Sequence, residues 1–259
     1  MKIDDVVAYL DDRFHPEYQE DYDNAGFLVG DGAAEYSGAL VALDLTAAVV
    51  AEAKAAGLNL IVTHHPLIFG GLKTVTSRTE TGRMVIDMLR SGVAAYAAHT
   101  NLDNMPDGVN GILCEKLGLH NCRILKPMDD DGELGAGMIG ELEHETSTEE
   151  FMQTVKQRLG LPTLRLSGER PTVRRVAVCG GSGAFLIGDA MRAGADVYLT
   201  GDLKYHDFQR PEGRMLLADI GHYESEQFAR EIISRAILEK FSNFACRISE
   251  CQHSVVHYM

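Results

Sequence analysis

Three short segments carry residues that could do metal chemistry. His64 and His65 stand side by side immediately before Pro66, straight off an apolar run. In extended backbone consecutive side chains point apart, and the proline biases His65 toward that conformation, so the two imidazoles reach different points a few ångströms apart. His99 follows a second apolar run, and Asp103 comes four residues later. His222 and Glu226 are also four apart, where a helix begins, and at that spacing both lie on one helix face. Imidazoles and carboxylates suit Zn²⁺, Mn²⁺ or Fe²⁺. Taken singly, each segment also fits a polar loop or a solvated first helical turn. Together His64, His65 and His222 with Asp103 and Glu226 supply three histidines and two carboxylates, a composition suited to two divalent ions that share and activate a water.

These residues need scaffolding at strand ends. Nearly continuous apolar runs predict strands over Ala39–Leu45, Asn59–Thr63, Val93–Ala98, Val173–Cys179, Asp196–Thr200 and Met215–Ile220, the pattern of strands covered on both faces. Helices are predicted between them over Thr46–Ala56, Thr79–Arg90, Ala184–Ala193 and Glu224–Glu239, most of them stopped by a glycine. Ser147 with Glu150 reads as a capping box that opens a further helix. Strands alternating with helices predict an α/β class. Asp44, His64, His65, His99, Asp202, Asp219 and His222 then all fall at the carboxyl ends of strands, where α/β sheets bind ligands.

The chain also repeats itself. Ala53–His65 and Ala190–Asp202 both run from an alanine-rich helix through a glycine stop and an apolar strand to a threonine and polar residues. Two similar α/β halves are expected, divided near the acidic, glycine-rich stretch Met128–Gly137, with a first domain over 1–127 and a second over 128–259 whose last segment packs back on the first. Asp202, Lys204 and His206 occupy the second half's equivalent of His64 and His65 and are expected to contact substrate or support the ligands. Gly180, Gly181 and Gly183 link a strand to a helix, but Leu186 stands where a dinucleotide fingerprint wants its third glycine and no Lys-Ser or Lys-Thr pair follows, so a tight turn is the reading.

Composition narrows the classes. Of 259 residues, 45% are hydrophobic and 24% charged, an ordinary globular balance. A formal net charge of −14 disfavours a phosphate-tracking nucleic-acid surface. No apolar run is long enough for a membrane span and the first residues lack an apolar signal core, so a cytoplasmic protein is expected. Five cysteines without a C-x-x-C pair argue against a disulfide framework.

In order along the chain stand Asp23–Gly30, Thr63–Phe69, His99–Asp103, Gly180–Gly183, Gly201 and Asp202 with His206, and Gly221–Glu226. This series resembles the GTP cyclohydrolase 1 type 2 homologue family, also called the Nif3-like dinuclear metal-binding proteins, over nearly the whole chain. The resemblance implies two α/β domains with a di-metal site in the cleft between them, a toroidal homohexamer, and a ligand set of His64, His65, Asp103, His222 and Glu226. Tyr22 departs from it, since many relatives have Trp before the Asp-Asn pair. A metal-dependent hydrolase of a small nucleotide-like or phosphorylated substrate, GTP cyclohydrolase being one case, is the expected function, with His99, His206 and Asp202 as candidate catalytic residues and two Zn, Mn or Fe ions as cofactors. The alternative is a metal-binding, metal-delivery or ring-forming adaptor protein without turnover.

Overall fold

The computed structural model describes residues Met1–His257 and divides them into two units. The first comprises Met1–Leu102 and Ala229–His253; the second comprises Asp103–Phe228 and the segment beginning at Ser254.

The first unit holds α1 (Ile3–Phe14), β1 (Gly26–Val29), β2 (Gly38–Ala42), α2 (Ala47–Ala55), β3 (Leu60–Thr63), α3 (Glu80–Ser91), β4 (Ala94–Ala97) and the start of α4 (Thr100–Asp103). Its sheet order is β1-β4-β3-β2-β11, where β11 (Ala245–Ile248) arrives from the far end of the chain. Strands β4, β3, β2 and β11 are mutually parallel and β1 is an antiparallel edge. Every residue of β2, β3 and β4 is buried, which is why these strands read as unbroken apolar runs. Thr46 and Thr79 cap α2 and α3 by accepting from Val49 N and Gly82 N. The core packs Leu40, Val49, Ala53, Ile61, Val85 and Met88 between sheet and helices.

The second unit holds α5 (Val109–Leu117), β5 (His120–Pro127), β6 (Gly135–Ser147), α6 (Thr148–Leu159), β7 (Arg165–Ser167), β8 (Thr172–Ser182), α7 (Ile187–Arg192), β9 (Val197–Gly201), β10 (Leu216–Asp219) and α8 (His222–Glu226). The sheet order is β5-β6-β8-β9-β10-β7. Parallel β8, β9 and β10 sit at its centre and antiparallel strands flank them. Ser147 caps α6 by accepting from Glu150 N, as the capping box predicts. The sequence repeat corresponds to α2–β3 in the first unit and α7–β9 in the second, each a helix stopped by a left-handed glycine (Gly57, Gly194) ahead of a buried parallel strand.

Two expectations differ from the structure. The acidic stretch after Met128 is a hairpin loop joining β5 to β6, closed by Met128 N donating to Leu134 O and by Asp129 accepting from Leu134 N. Turn residues and linker residues share a composition, so the stretch reads as a boundary without being one. The division instead falls at Leu102 and Asp103, which places Asp103 in the second unit, and the chain returns to the first at Ala229. The helix expected over Glu224–Glu239 is two helices: α8 begins at His222, and α9 (Ala229–Lys240) follows after a break. At the break the Gln227 side chain donates to Glu224 O and Leu159 O, occupying a carbonyl that a continuous helix would use for its own ladder. Among the described residues no helix is long and apolar enough to cross a membrane, and all five cysteines are free thiols.

Candidate metal centre

Register builds the first unit's histidine group. Ala42, Thr63 and Ala97 lie level across β2, β3 and β4, so Asp44, His65 and His99, each two residues further on, leave the sheet at matching positions. His64 is one residue nearer the strand, fully buried, its amide still paired with Ala42 O. The three imidazoles form a near-equilateral triangle, with ring centroids 5.0 Å (His64–His65), 5.2 Å (His64–His99) and 5.5 Å (His65–His99) apart.

Each ring is held through the same nitrogen. His64 Nδ1 donates to Ala98 O at 2.8 Å, His65 Nδ1 to Asp44 Oδ1 at 2.6 Å, and His99 Nδ1 to Asp23 Oδ1 at 2.7 Å. All three partners are acceptors, so in the neutral imidazole the lone pair lies on Nε2. Metal-binding histidines are oriented in this way by an acceptor on the opposite nitrogen. The carboxylates are themselves braced. Asp23 also accepts from the Thr100 amide and hydroxyl. Burial opposes its ionisation, yet the hydrogen bonds from His99 and Thr100 hold its carboxyl well below the usual carboxylate range. Gln252, buried near the end of the described chain, donates to Asp44 O and Asp44 Oδ2 and accepts from Leu43 N.

Gln252 is delivered by a carboxylate clamp. Glu52 on α2 accepts from Ser249 Oγ at 2.6 Å, Glu250 N at 3.0 Å and Cys251 N at 3.4 Å. Burial works against its charge, but these bonds from Ser249 and Cys251, then Glu250, bring the Glu52 carboxyl down to about 2. A carboxyl lowered by folding contributes stability that is present above its ordinary value of 4.5 and lost as pH falls through the folded value of about 2. Hydrogen exchange, corrected for the intrinsic rate, should therefore show protection at Glu250 and Cys251 fading between those pH values. Glu52→Gln should lack that protection at every pH; equal protection in both proteins would remove the clamp.

In the second unit, α8 projects His222 and Glu226 from one turn. His222 Nδ1 donates to Asp202 Oδ2 at 2.7 Å, and His222 Nε2 lies 2.9 Å from Glu226 Oε2. Glu226, then Asp202, outweigh partial burial and push the imidazole up to about 9. A divalent ion held there by His222 and Glu226 would require that proton to leave. Asp202 follows β9 with φ +56°, a conformation Asp tolerates better than most side chains. Buried Asp219 accepts from Leu203 N and Gly221 N, each 3.0 Å, and pairs with Arg165, which fixes the segments just after Asp202 and just before His222. Asp103 ends α4; its carbonyl accepts from Asn110 Nδ2 while Asn110 Oδ1 accepts from Gly180 N. Asp103 and Glu226 each offer one ligand atom, and these lie within 4.8 Å of each other.

The glycines that follow the strand core have a steric task. β8 runs on through Gly180 and Gly181 to Ser182, and a Cβ on Gly181 would lie 2.1 Å from Glu226 Oε1. The turn expected there is a strand end pared back to admit the Glu226 carboxylate. His206 is exposed in the turn after β9, edge-on to Tyr205, and belongs to neither ligand group.

The donor set fits a divalent metal. His64, His65 and His99 each offer one ligand atom, all within 4.8 Å of one another. The His222–Glu226 separation is that of a hydrogen-bonded ion pair, and two atoms so close can also share one ion with arms of about 2.0–2.2 Å. His99, a candidate catalytic residue in the sequence, thus stands with His64 and His65. Asp23 and Gln252 as orienting groups have no local sequence signal; Asp44 has one, its place at a strand end.

Residues 1–254 match the family model Duf34/NIF3 (NGG1p interacting factor 3). A Clostridium perfringens protein named GTP cyclohydrolase 1 type 2 homolog is 35% identical over 247 residues, covering 94% of each chain. A Nostoc protein of the same name is 36% identical over 236 residues, covering 88% of each. Among solved structures, the Staphylococcus aureus protein SA1388 superposes with a TM-score of 0.90 at 29% identity, covering 100% of this chain and 99% of that one. A Bacillus cereus protein related to NIF3 shares the fold, with a TM-score of 0.91 at 24% identity and coverage of 100% and 99%.

Proposed function

From the premise that the chain belongs to the Duf34/NIF3 (NGG1p interacting factor 3) family, we propose a metal-dependent hydrolase acting on small nucleotide-like or phosphorylated molecules, with His64, His65, Asp103, His222 and Glu226 holding two divalent ions. The observation that carries the reading is the triangle of imidazoles whose Nδ1 atoms are all tied to acceptors. Such ions, when bound, supply Lewis acidity and bring the pKa of water to about 7.

The chain's own groups do the rest. Asp44, Asp202 and the Ala98 carbonyl keep three rings in one tautomer and orientation. His99 takes a proton at Nε2 while Asp23, ionised far below neutral pH, stabilises the imidazolium through Nδ1. His206, exposed and outside the ligand groups, contacts the substrate and returns a proton to the departing oxygen or nitrogen. The curated relatives' shared name makes GTP the first substrate to try.

The test is metal content and turnover measured on the same samples, with GTP and a panel of nucleotides and phosphoesters. Asp103→Ala should lose metal and activity together. His206→Ala should keep its metal and lose turnover. A protein that binds two ions per chain and turns over nothing in the panel is a metal carrier instead.

A further inference from the structure

Two large aromatic side chains stand exposed beside the histidine group. Tyr22 is 64% exposed and Phe69 50% exposed, and their rings lie 6.2 Å apart at 46°. Phe69 in turn stands 5.9 Å from the His99 ring, edge to face. Leu72 and Val75, further along the same loop, are exposed as well. Scattered exposed apolar side chains are normal, but contiguous ones beside convergent polar groups mark a binding surface.

One tripeptide ties this pair to the metal-orienting machinery. Tyr22 supplies a ring. Asp23 holds His99. Asn24 donates from Nδ2 to Ile68 O at 2.5 Å, one residue before Phe69. Ring, orienting carboxylate and loop anchor are consecutive, so the aromatic pair keeps a fixed place relative to the His99 imidazole. Past Phe69, Gly70 and Gly71 have no atom within 4 Å of where a Cβ would stand. The chain next to Phe69 is therefore unobstructed at these two positions.

We propose that Tyr22 and Phe69 form a stacking platform for a planar heteroaromatic ring of nucleobase size, which presents the rest of the substrate to the groups around His99. The proposal rests on the metal reading for the chemistry that follows binding, but ring binding itself does not need the metal. Aromatic faces hold bases through offset or edge-on contacts that tolerate different ring edges. The platform selects for a ring and leaves the choice among bases to other groups.

The probes are guanosine and adenosine 5′-monophosphate, with ribose 5-phosphate as the ringless control. The chain contains no tryptophan, so Tyr22→Trp introduces a unique indole whose emission reads stacking directly. Nucleotides should quench it and ribose 5-phosphate should not. Calorimetry on the full-length protein should give a nucleotide affinity at least about 10-fold above that of ribose 5-phosphate. Phe69→Leu, apolar but without a π face, should erase most of that margin with ribose 5-phosphate binding and metal content unchanged, and Phe69→Tyr should restore it. Quenching that persists in a protein found to bind no metal supports the platform and overturns only the metal reading. Equal affinity for ringed and ringless probes in the metal-loaded protein overturns the platform. So does a Phe69→Leu protein that keeps the full margin, or one that changes oligomeric size while showing no ring preference in either form.

Discussion

Glu226→Ala should strip the protein of metal at its second-unit ligands, weakening affinity by at least about 100-fold, because even groups that merely orient a ligand cost 10–100-fold when removed. Glu226 is 3% exposed, and its carboxylate is 2.9 Å from His222 Nε2, so its loss removes a buried donor beside that nitrogen. The variant should keep its circular dichroism, since α8 is a single turn whose strand partners are intact. Its His222 should also titrate lower than about 9, because Glu226 is the largest cause of that elevation. Elemental analysis after dialysis against competing chelator reads the first effect and proton NMR of the imidazole the second. Full metal content in Glu226→Ala would take α8 out of the centre.

Gly181→Ala should disturb the same ligand without touching any donor. Its φ of +60° is left-handed, where an L side chain costs about 1–2 kcal/mol. The new Cβ would also stand 2.1 Å from Glu226 Oε1 and 3.4 Å from His222 Cε1. The helix or the carboxylate must move, and metal affinity should fall about 10-fold or more, in the range set by misplacing a ligand. Gly57→Ala separates the two effects. It has φ +69° and nothing within 4 Å of the added carbon, so it carries the backbone cost alone. Thermal unfolding should drop in both variants, further in Gly181→Ala because the clash adds to the backbone cost, and only Gly181→Ala should lose affinity. Parallel losses of affinity would mean that the steric argument is wrong.

The parts of the fold legible in the sequence are those where packing is the same on both sides. β2, β3, β4 and β9 are buried throughout, and an unbroken apolar run records that directly. β5 and β11 are mostly exposed or half-buried, so their residues, such as His120, Arg123 and Arg247, carry no apolar pattern. α1 buries Ile3, Val6, Val7, Leu10 and Phe14 on one stripe, a helical period that stands beside four acidic residues and so hides in a polar composition. At the site, residue type and strand-end position single out His64, His65, His99, His222 and Glu226. Their bracing does not show, because Asp23 meets His99 from 76 residues away and Gln252 meets Asp44 from 208. Such pairings follow from tertiary register, and no local spacing encodes them.

The position of β11 has a kinetic consequence. β2 and β11 pair with Gly38 opposite Ala245, so the first unit's sheet closes a loop that contains the whole of Asp103–Phe228. Closure entropy grows only slowly with loop length, about 0.6 kcal/mol per doubling, so the thermodynamic cost is modest. The effect on rate is larger, because pairings so distant in sequence are late events in folding. During synthesis the whole of Asp103–Phe228 emerges before β11 exists. The half of the protein that begins the chain is thus the half that finishes folding last.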